Sequence, residues 1–136
     1  MEGSRTDRTC RYCGAAKPLA NFPVALSKGG IVYRRRKCDT CHAATKYNRR
    51  RAVSAWFEQV KASLSCRRCG NADFRVLEFH HASASDKEFA VADMVRSGFG
   101  RRRVLAEIAK CETLCANCHR ITHWEQKQSL TRLSSE

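Results

Sequence analysis

The sequence lacks an uninterrupted apolar stretch near the ~18 residues that a membrane-spanning helix requires, so no transmembrane helix is expected. Its first 15 residues are polar and lack the apolar centre of a secretory signal peptide. Acidic residues are scarce: the sequence has 13 Asp and Glu and 26 Lys and Arg, which gives a formal net charge of +13. We therefore expect a cytoplasmic protein with no membrane partner, in reducing surroundings that keep thiols available for metal.

Cysteine is abundant, and eight of the nine cysteines fall into Cys-x-x-Cys pairs. Two such turns can supply the four thiolates of a closed tetrahedral zinc site, which is structural because it leaves no open position. The order of the pairs predicts two zinc ions, one held by Cys10, Cys13, Cys38 and Cys41 and one held by Cys66, Cys69, Cys115 and Cys118. Disulfides or free thiols are the alternative, disfavoured by the spacing and by the absence of a secretory signal. The ninth cysteine, Cys111, is expected to be a buried apolar residue.

Four of the five histidines lie in the second half of the chain, beside the second set of cysteine pairs. His119 and His123 are four residues apart, so on a helix they share one face and can bind one metal ion. His80 and His81 end a strand-like run and should point to opposite sides, so that one can join the metal and the other can face a substrate. Glu78 shares a strand face with His80 and could orient a neighbouring side chain or could simply be a surface residue.

The positive charge is concentrated in the first half, with 14 Lys and Arg against 4 acids in residues 1–65, and 12 against 9 in residues 66–136. Dense basic runs neutralise phosphates, and tyrosines among them can stack or pack. The predicted nucleic-acid contacts are Arg34, Arg35, Arg36, Lys37, Arg49, Arg50 and Arg51. A merely solvated cationic face is the alternative.

The pattern of residues predicts a small α+β protein held together by metal, with four segments. Residues 1–42 form a zinc ribbon or knuckle module, 43–65 a connecting helix with an apolar stripe, 66–128 a second metal module, and 129–136 a polar tail. Within the second module we expect a strand over 73–81, helices over 91–96 and 102–109, a strand over 112–114 and a helix over 116–127. Ile121 and Trp124 are expected to face the core.

Four stretches of the second module together carry a resemblance to a known family: the pair Cys66 and Cys69, and residues 76–81 (Val-Leu-Glu-Phe-His-His), 86–89 (Asp-Lys-Glu-Phe) and 114–120 (Leu-Cys-Ala-Asn-Cys-His-Arg). They resemble the HNH endonucleases of phages and bacteria over residues 66 to about 127. The first module resembles, less specifically, the treble-clef-like fingers that precede some of these nucleases.

The resemblance implies a ββα-metal fold and hydrolysis of DNA, double-stranded rather than single-stranded, in a bacterial cell or a phage-infected host. It implies that His80, His119 and His123 bind one catalytic divalent ion (magnesium, manganese, nickel or zinc) and that His81 is the general base. No small-molecule cofactor is implied. The family's central Asn would fall near Lys110 and Cys111, where this sequence has none, so what braces the base is left open.

Two other functions remain open from the sequence. The chain could be a non-catalytic zinc-ribbon protein that binds nucleic acid, with its histidines holding a third structural metal. It could also be a protein–protein adaptor built from two zinc modules, whose basic runs meet an acidic partner. Metal-dependent nicking of plasmid DNA separates the first from a nuclease, and salt-dependent binding to random DNA argues against the second.

Overall fold

The computed structural model describes residues 6–83, 85 and 88–133. Asp86 and Lys87, which carry part of the family resemblance, lie outside the described residues, as do residues 1–5 and 134–136. The chain divides into two compact units, Met1–Arg49 and Arg50–Glu136. The division falls inside the long helix that the sequence predicts as a connector, rather than at either end of it.

The first unit contains two small antiparallel pairs of strands. Strand β1 (Asp7–Thr9) pairs with β2 (Ala16–Pro18), and β3 (Val24–Lys28) pairs with β4 (Ile31–Arg34). The β3–β4 hairpin turns at Gly29 and Gly30, whose φ angles are 56° and 77°. Two successive positive φ angles are what a two-residue hairpin turn matched to the strand twist requires, and glycine adopts them without steric cost.

The core of the first unit is very small. Its fully buried residues are Phe22, Cys10 and Cys38, with Cys41 packed against them, and strand β3 is exposed along its whole length. One aromatic ring cannot bury enough apolar surface to hold some forty residues in one conformation. The fold of this unit therefore depends on whatever joins its cysteines.

The second unit has a larger apolar core around helix α1 (Asp39–Ala62), which continues into it from the first unit. Val53 of α1 packs with residues of α2 (Val91–Ser97) and α3 (Arg101–Ile108). The buried members of this cluster are Val53, Val91, Met94, Val95 and Val104, with Trp56, Phe57 and Phe79 packed against them. The predicted apolar stripe of the connecting helix is thus confirmed as a packing surface within this unit.

An antiparallel strand pair and a helix complete the second unit and place its polar site. Strand β5 (Leu77–His81) pairs with β6 (Cys111–Cys115) in a register that runs from Leu77 opposite Cys115 to His81 opposite Cys111. Helix α4 (Ala116–Leu133) begins directly after β6. Helices α2 and α3 form the insertion between the two strands, so residues distant in sequence meet at the β5–β6–α4 junction.

Three expectations need correction. The predicted strand over 73–81 starts only at Leu77, because Phe74–Val76 form a 3-10 turn in which the Arg75 N–H donates to the Asp73 carboxylate. Residues 129–133 are helical, since α4 continues to Leu133 instead of ending before a tail. Ile121 and Trp124 are 45% and 62% exposed, so they do not face the core.

The molecule is therefore a small α+β protein with two four-cysteine clusters that could bind metal. Among the residues that the structure describes, no helix combines the length and the apolar character needed to cross a membrane.

Candidate functional site

The four-cysteine cluster of the second unit joins the loop before β5 to the start of α4. Cys115 ends β6 and Cys118 lies in the first turn of α4, while Cys66 and Cys69 come from the loop. The four Sγ atoms lie within 4.8 Å of one another, and Cys69 Sγ is 3.7 Å from Cys115 Sγ. A tetrahedral zinc ion with bonds of ~2.3 Å to sulfur requires S···S separations of about 3.8 Å. The cluster thus has the donors and the spacing of a closed zinc site.

The cluster of the first unit is built the same way. Cys10, Cys13, Cys38 and Cys41 satisfy the same distance limit. The amides of Tyr12 and Cys38 donate to Cys10 Sγ at 3.4 and 3.3 Å. Gly14 follows its Cys-x-x-Cys turn with a φ of 72° and donates its N–H to Cys10 O at 2.9 Å.

Gly70 repeats this geometry in the second unit, with a φ of 75° and an N–H donated to Cys66 O at 2.8 Å. A left-handed residue at this point closes the turn and leaves the amides aimed at sulfur, which glycine permits. The shared turn geometry accounts for the glycine that follows the Cys-x-x-Cys pair in both modules.

Hydrogen bonds and burial shift the pKa values of several cysteine thiols in both clusters. Hydrogen bonds from backbone amides, above all that of Cys38, lower the pKa of Cys10 to about 6. Burial opposes ionisation of Cys66, but amide donors, first among them that of Cys115, outweigh it and bring the pKa of Cys66 to about 6. The neighbouring thiol of Cys38 and burial raise the pKa of Cys41 to about 12. In the first cluster Cys10 therefore ionises more readily than Cys41, and in the second Cys66 ionises more readily than Cys118, whose pKa burial raises to about 12. A bound divalent cation would favour the thiolate form of each.

A three-histidine cluster lies at the β5–β6–α4 junction. His80 comes from β5, and His119 and His123 come from successive turns of α4, with ring centroids 4.6–5.1 Å apart. His119 Nε2 and His123 Nε2 are 3.1 Å apart, close to the ~3.3 Å expected for two nitrogens on one tetrahedral zinc-sized ion. Burial lowers the pKa of His80, and the adjacent His119 and His123 lower it further, which keeps a nitrogen lone pair available.

Two side chains set the orientation of the histidine rings. Glu78 Oε2 accepts a hydrogen bond from His119 Nδ1 at 2.5 Å, which leaves Nε2 of His119 as the nitrogen facing His123. A carboxylate in this role fixes the tautomer and raises the basicity of a metal-binding imidazole. Of the two possibilities for Glu78, the structure therefore favours the orienting one. The Gln126 amide donates to His80 Nε2 at 3.2 Å, and an ion taking that nitrogen would replace the amide as its partner.

His81 points away from the three-histidine cluster, as strand alternation predicts, but it does not face open solvent. Its side chain is 8% exposed, and its Nε2 lies 2.7 Å from Oε1 of Glu107, which is 2% exposed. His81, the histidine expected to face a substrate, is thus largely buried, with its ring held against helix α3. Glu107 was not singled out from the sequence. The available signal was an acid three residues after Val104, on the helix face that Val104 buries.

A cleft of about 990 Å³ brings the histidines into one space. His80, His81, His119 and His123 all line it, and Lys61 and Arg75 lie on its wall together with apolar residues of α1, β5 and α4. Partial burial lowers the pKa of Lys61, against the opposing field of Glu78. The cleft thus brings together three clustered histidines that could hold a metal ion, a separate imidazole and two basic side chains.

Of the basic residues 34–37, which were predicted to contact nucleic acid, two make side-chain contacts within the first unit and two are exposed. The Arg34 guanidinium donates to Phe22 O at 2.8 Å, and Lys37 Nζ lies 3.3 Å from the centre of the Tyr12 ring and donates to Thr45. These two cations are engaged within the unit. Arg35 and Arg36 are exposed and have no described side-chain partner in residues 6–83, 85 and 88–133.

A shallow concavity of about 520 Å³ collects these groups, and it is lined by Arg11, Tyr12, Ala25, Arg34, Arg35, Arg36, Lys37 and His42. Arg49, Arg50 and Arg51 instead follow one another on α1, each turned by ~100° from the last, so they form no single stripe.

Comparisons of the chain with protein-family models, with curated proteins and with solved structures found no match. The class of protein is therefore defined by the fold and the clusters alone: a small α+β protein with two four-cysteine groups suited to zinc.

Proposed function

We propose that this protein is a divalent-metal-dependent endonuclease of the HNH type that hydrolyses DNA phosphodiester bonds. The observation that carries the proposal is the grouping of His80, His119 and His123 in one cleft with a fourth, separately held imidazole, His81. Three neutral imidazoles from two elements are a donor set for a catalytic metal site, because they leave further coordination positions open.

The chain order of the site supports the same assignment. The elements that carry the histidines are an antiparallel strand pair, β5 and β6, followed at once by helix α4. This is the order of a ββα-metal motif. The second four-cysteine cluster joins the loop before β5 to the β6–α4 junction and would hold the same three elements together.

His80, His119 and His123 would hold the divalent ion, with Glu78 orienting His119 through its Nδ1. The ion, when bound, supplies positive charge to the scissile phosphate and to the leaving oxygen. Lys61 on the cleft wall would attract and position the phosphate backbone, whereas Arg75 on the same wall is paired with the Asp73 carboxylate.

His81 would take a proton from the water that attacks the phosphorus. A positioned imidazole suits this role because its pKa lies near neutral pH, and general-base catalysis contributes about 10²- to 10⁴-fold in rate. By resemblance, the products would carry a 5′ phosphate at a nick. The four-cysteine clusters would take no part in the chemistry.

The first unit would supply affinity for the DNA backbone. Arg35 and Arg36 present their charges at the concavity that also includes Tyr12, which is 70% exposed. Contacts of this kind grip phosphates without reading sequence.

The same concavity favours a second candidate, a non-catalytic nucleic-acid-binding protein whose three-histidine cluster holds a structural metal. Both candidates bind DNA, so binding alone does not separate them. A protein–protein adaptor is not favoured by any contact in the described residues, and strong salt-dependent binding to random DNA would count against it.

Incubation of the purified protein with supercoiled plasmid and a series of divalent metals tests the proposal. We expect metal-dependent conversion to nicked circles, lost in His119→Ala and retained in Gln128→Ala, which changes an exposed residue of the same helix. Binding of plasmid without nicking by any metal would favour the non-catalytic candidate.

A further inference from the structure

Glu107 is a buried carboxylate of the second unit, and three groups donate hydrogen bonds to it. It is 2% exposed and lies on the face of α3 that also buries Val104. A carboxylate in such a place is unfavourable unless it is fully paired. Its position is therefore informative about what it pairs with.

Three donors satisfy Glu107. Oε1 accepts from His81 Nε2 at 2.7 Å and from the backbone N–H of Glu88 at 3.1 Å, while Oε2 accepts from Lys110 Nζ at 2.9 Å. The hydrogen bond from Lys110, assisted by those from His81 and Glu88, lowers the pKa of Glu107 to about 2. The carboxylate is thus an anion that can only accept hydrogen bonds.

This anion decides which nitrogen of His81 carries the proton. A hydrogen bond between His81 Nε2 and an acceptor-only carboxylate requires Nε2–H, so in the neutral imidazole Nδ1 holds the free lone pair. Because His81 lines the cleft, that lone pair belongs to a residue of the candidate active site.

Glu107 also fixes the surroundings of the ring. Its own carbonyl accepts a hydrogen bond from Cys111 Sγ at 3.3 Å, and Cys111 is the residue opposite His81 in the β5–β6 register. The end of α3 is therefore tied to both strands beside His81. The Glu107 carboxylate also accepts a hydrogen bond from the backbone N–H of Glu88, a residue that follows β5 in the chain.

We propose that Glu107 is a positioning residue that holds His81 in the Nε2–H tautomer and thereby makes Nδ1 the nitrogen that accepts the proton of the attacking water. The general-base part of this inference rests on the proposed nuclease function. The tautomer and its dependence on Glu107 do not, so the two can be tested separately.

The test independent of activity is a long-range ¹H–¹⁵N correlation spectrum of the zinc-loaded protein, with the His81 resonances assigned by their loss in His81→Ala. We expect wild-type His81 to show Nε2 protonated and Nδ1 unprotonated. In Glu107→Gln, whose amide can also donate, we expect a mixture of tautomers. Glu58→Gln, which changes an exposed acid of α1, should leave the wild-type pattern.

The kinetic test uses the same variants on plasmid. We expect Glu107→Gln to lower kcat by about 10²-fold or more while KM and the metal requirement stay unchanged. In a His81→Ala background the same substitution should cause no further loss, because Glu107 acts through His81. Glu58→Gln should nick at the wild-type rate.

Three outcomes would overturn the inference. They are a wild-type His81 protonated at Nδ1 alone, an unchanged kcat in Glu107→Gln, or a loss of kcat from Glu107→Gln that is as large in the His81→Ala background as in the wild type. The wild-type spectrum decides even if Glu107→Gln does not fold. Absence of nicking by every variant, together with the Nε2–H tautomer, would reject the nuclease proposal but support the positioning of His81 by Glu107.

Discussion

His80 and His81 are neighbours in the chain with opposite surroundings, because side chains alternate across a strand. His80 meets His119 and His123 of α4, whereas His81 meets Glu107 of α3. One imidazole is surrounded by possible metal donors and the other by a fixed anion. Their roles should therefore separate in experiments that measure metal binding by itself.

We expect His80→Ala to weaken divalent-metal binding at the three-histidine cluster and His81→Ala to leave it unchanged. Even loss of an outer hydrogen-bonding partner typically costs about 10- to 100-fold in metal affinity, and loss of a ligand should cost at least as much. Titration calorimetry with Mn²⁺ or Ni²⁺, on protein whose cysteine clusters are already loaded with zinc, measures this directly. Equal weakening in both variants would contradict the assignment.

For individual residues, contacts between side chains close in sequence could be predicted, whereas contacts between side chains distant in sequence could not. The Cys-x-x-Cys pairs and the His119–His123 spacing each bring two donors together through local geometry alone. Glu107 reaches His81 across 26 positions, and only the packing of α3 on the sheet decides that contact. The prediction that Trp124 faces the core was wrong for a related reason: helical periodicity cannot show which faces of α4 are covered.

Among the elements, helix and strand types followed from periodicity, while their ends depended on local capping. Helix α2 ends at Ser97, one residue beyond the predicted end, because Gly98 adopts a φ of 72° and donates its N–H to the last turn. Strand β5 starts late because Asp73 caps a 3-10 turn in front of it. Helix α4 continues beyond the prediction because its polar last turns contain no Pro or Gly to end it.

The β6–α4 junction provides a matched pair of cysteines for testing the second zinc cluster. Cys115→Ser should remove one zinc ion per chain and unfold the second metal module, because metal binding there contributes folding free energy. Cys111→Ser changes a cysteine of the same strand that lies outside both clusters and should keep the wild-type zinc content. Metal analysis after mild dialysis, with circular dichroism, gives the result.

Wild-type protein should retain at least two zinc ions per chain under those conditions. Fewer than two in a folded sample, or equal zinc in wild type and Cys115→Ser, would contradict the assignment of the clusters.

For the whole molecule, the dominant property is its positive charge, and the structure changes which charges are expected to act on a partner. Four thiolates and one Zn²⁺ in each cluster would lower the net charge from the formal +13, yet leave it strongly positive. Arg34 and Lys37 were predicted as nucleic-acid contacts together with Arg35 and Arg36, but their side chains are committed to Phe22 and Tyr12 within the first unit. Replacing Arg34 would therefore confuse loss of a phosphate contact with loss of structure.

We expect the double substitution Arg35→Ala and Arg36→Ala to weaken binding to random DNA and to make its salt dependence shallower. Each phosphate neutralised contributes about 0.9 to the slope of log K against log[salt], so the slope should change by up to about 2 if both residues contact phosphate. Fluorescence anisotropy with a random duplex over a range of salt concentrations measures the slope.

The control removes the same charge elsewhere. Arg67→Ala with Arg96→Ala deletes two cations of the second unit that are paired with Glu112 and Asp93. If affinity responded only to net charge, both double variants would shift the binding curves alike, since long-range steering depends on total charge. A shallower slope in the Arg35/Arg36 variant alone would place phosphate contacts at the concavity of the first unit. An unchanged slope there would mean that these arginines are only a solvated face, and the nucleic-acid contacts would have to be sought around the cleft that contains the four histidines.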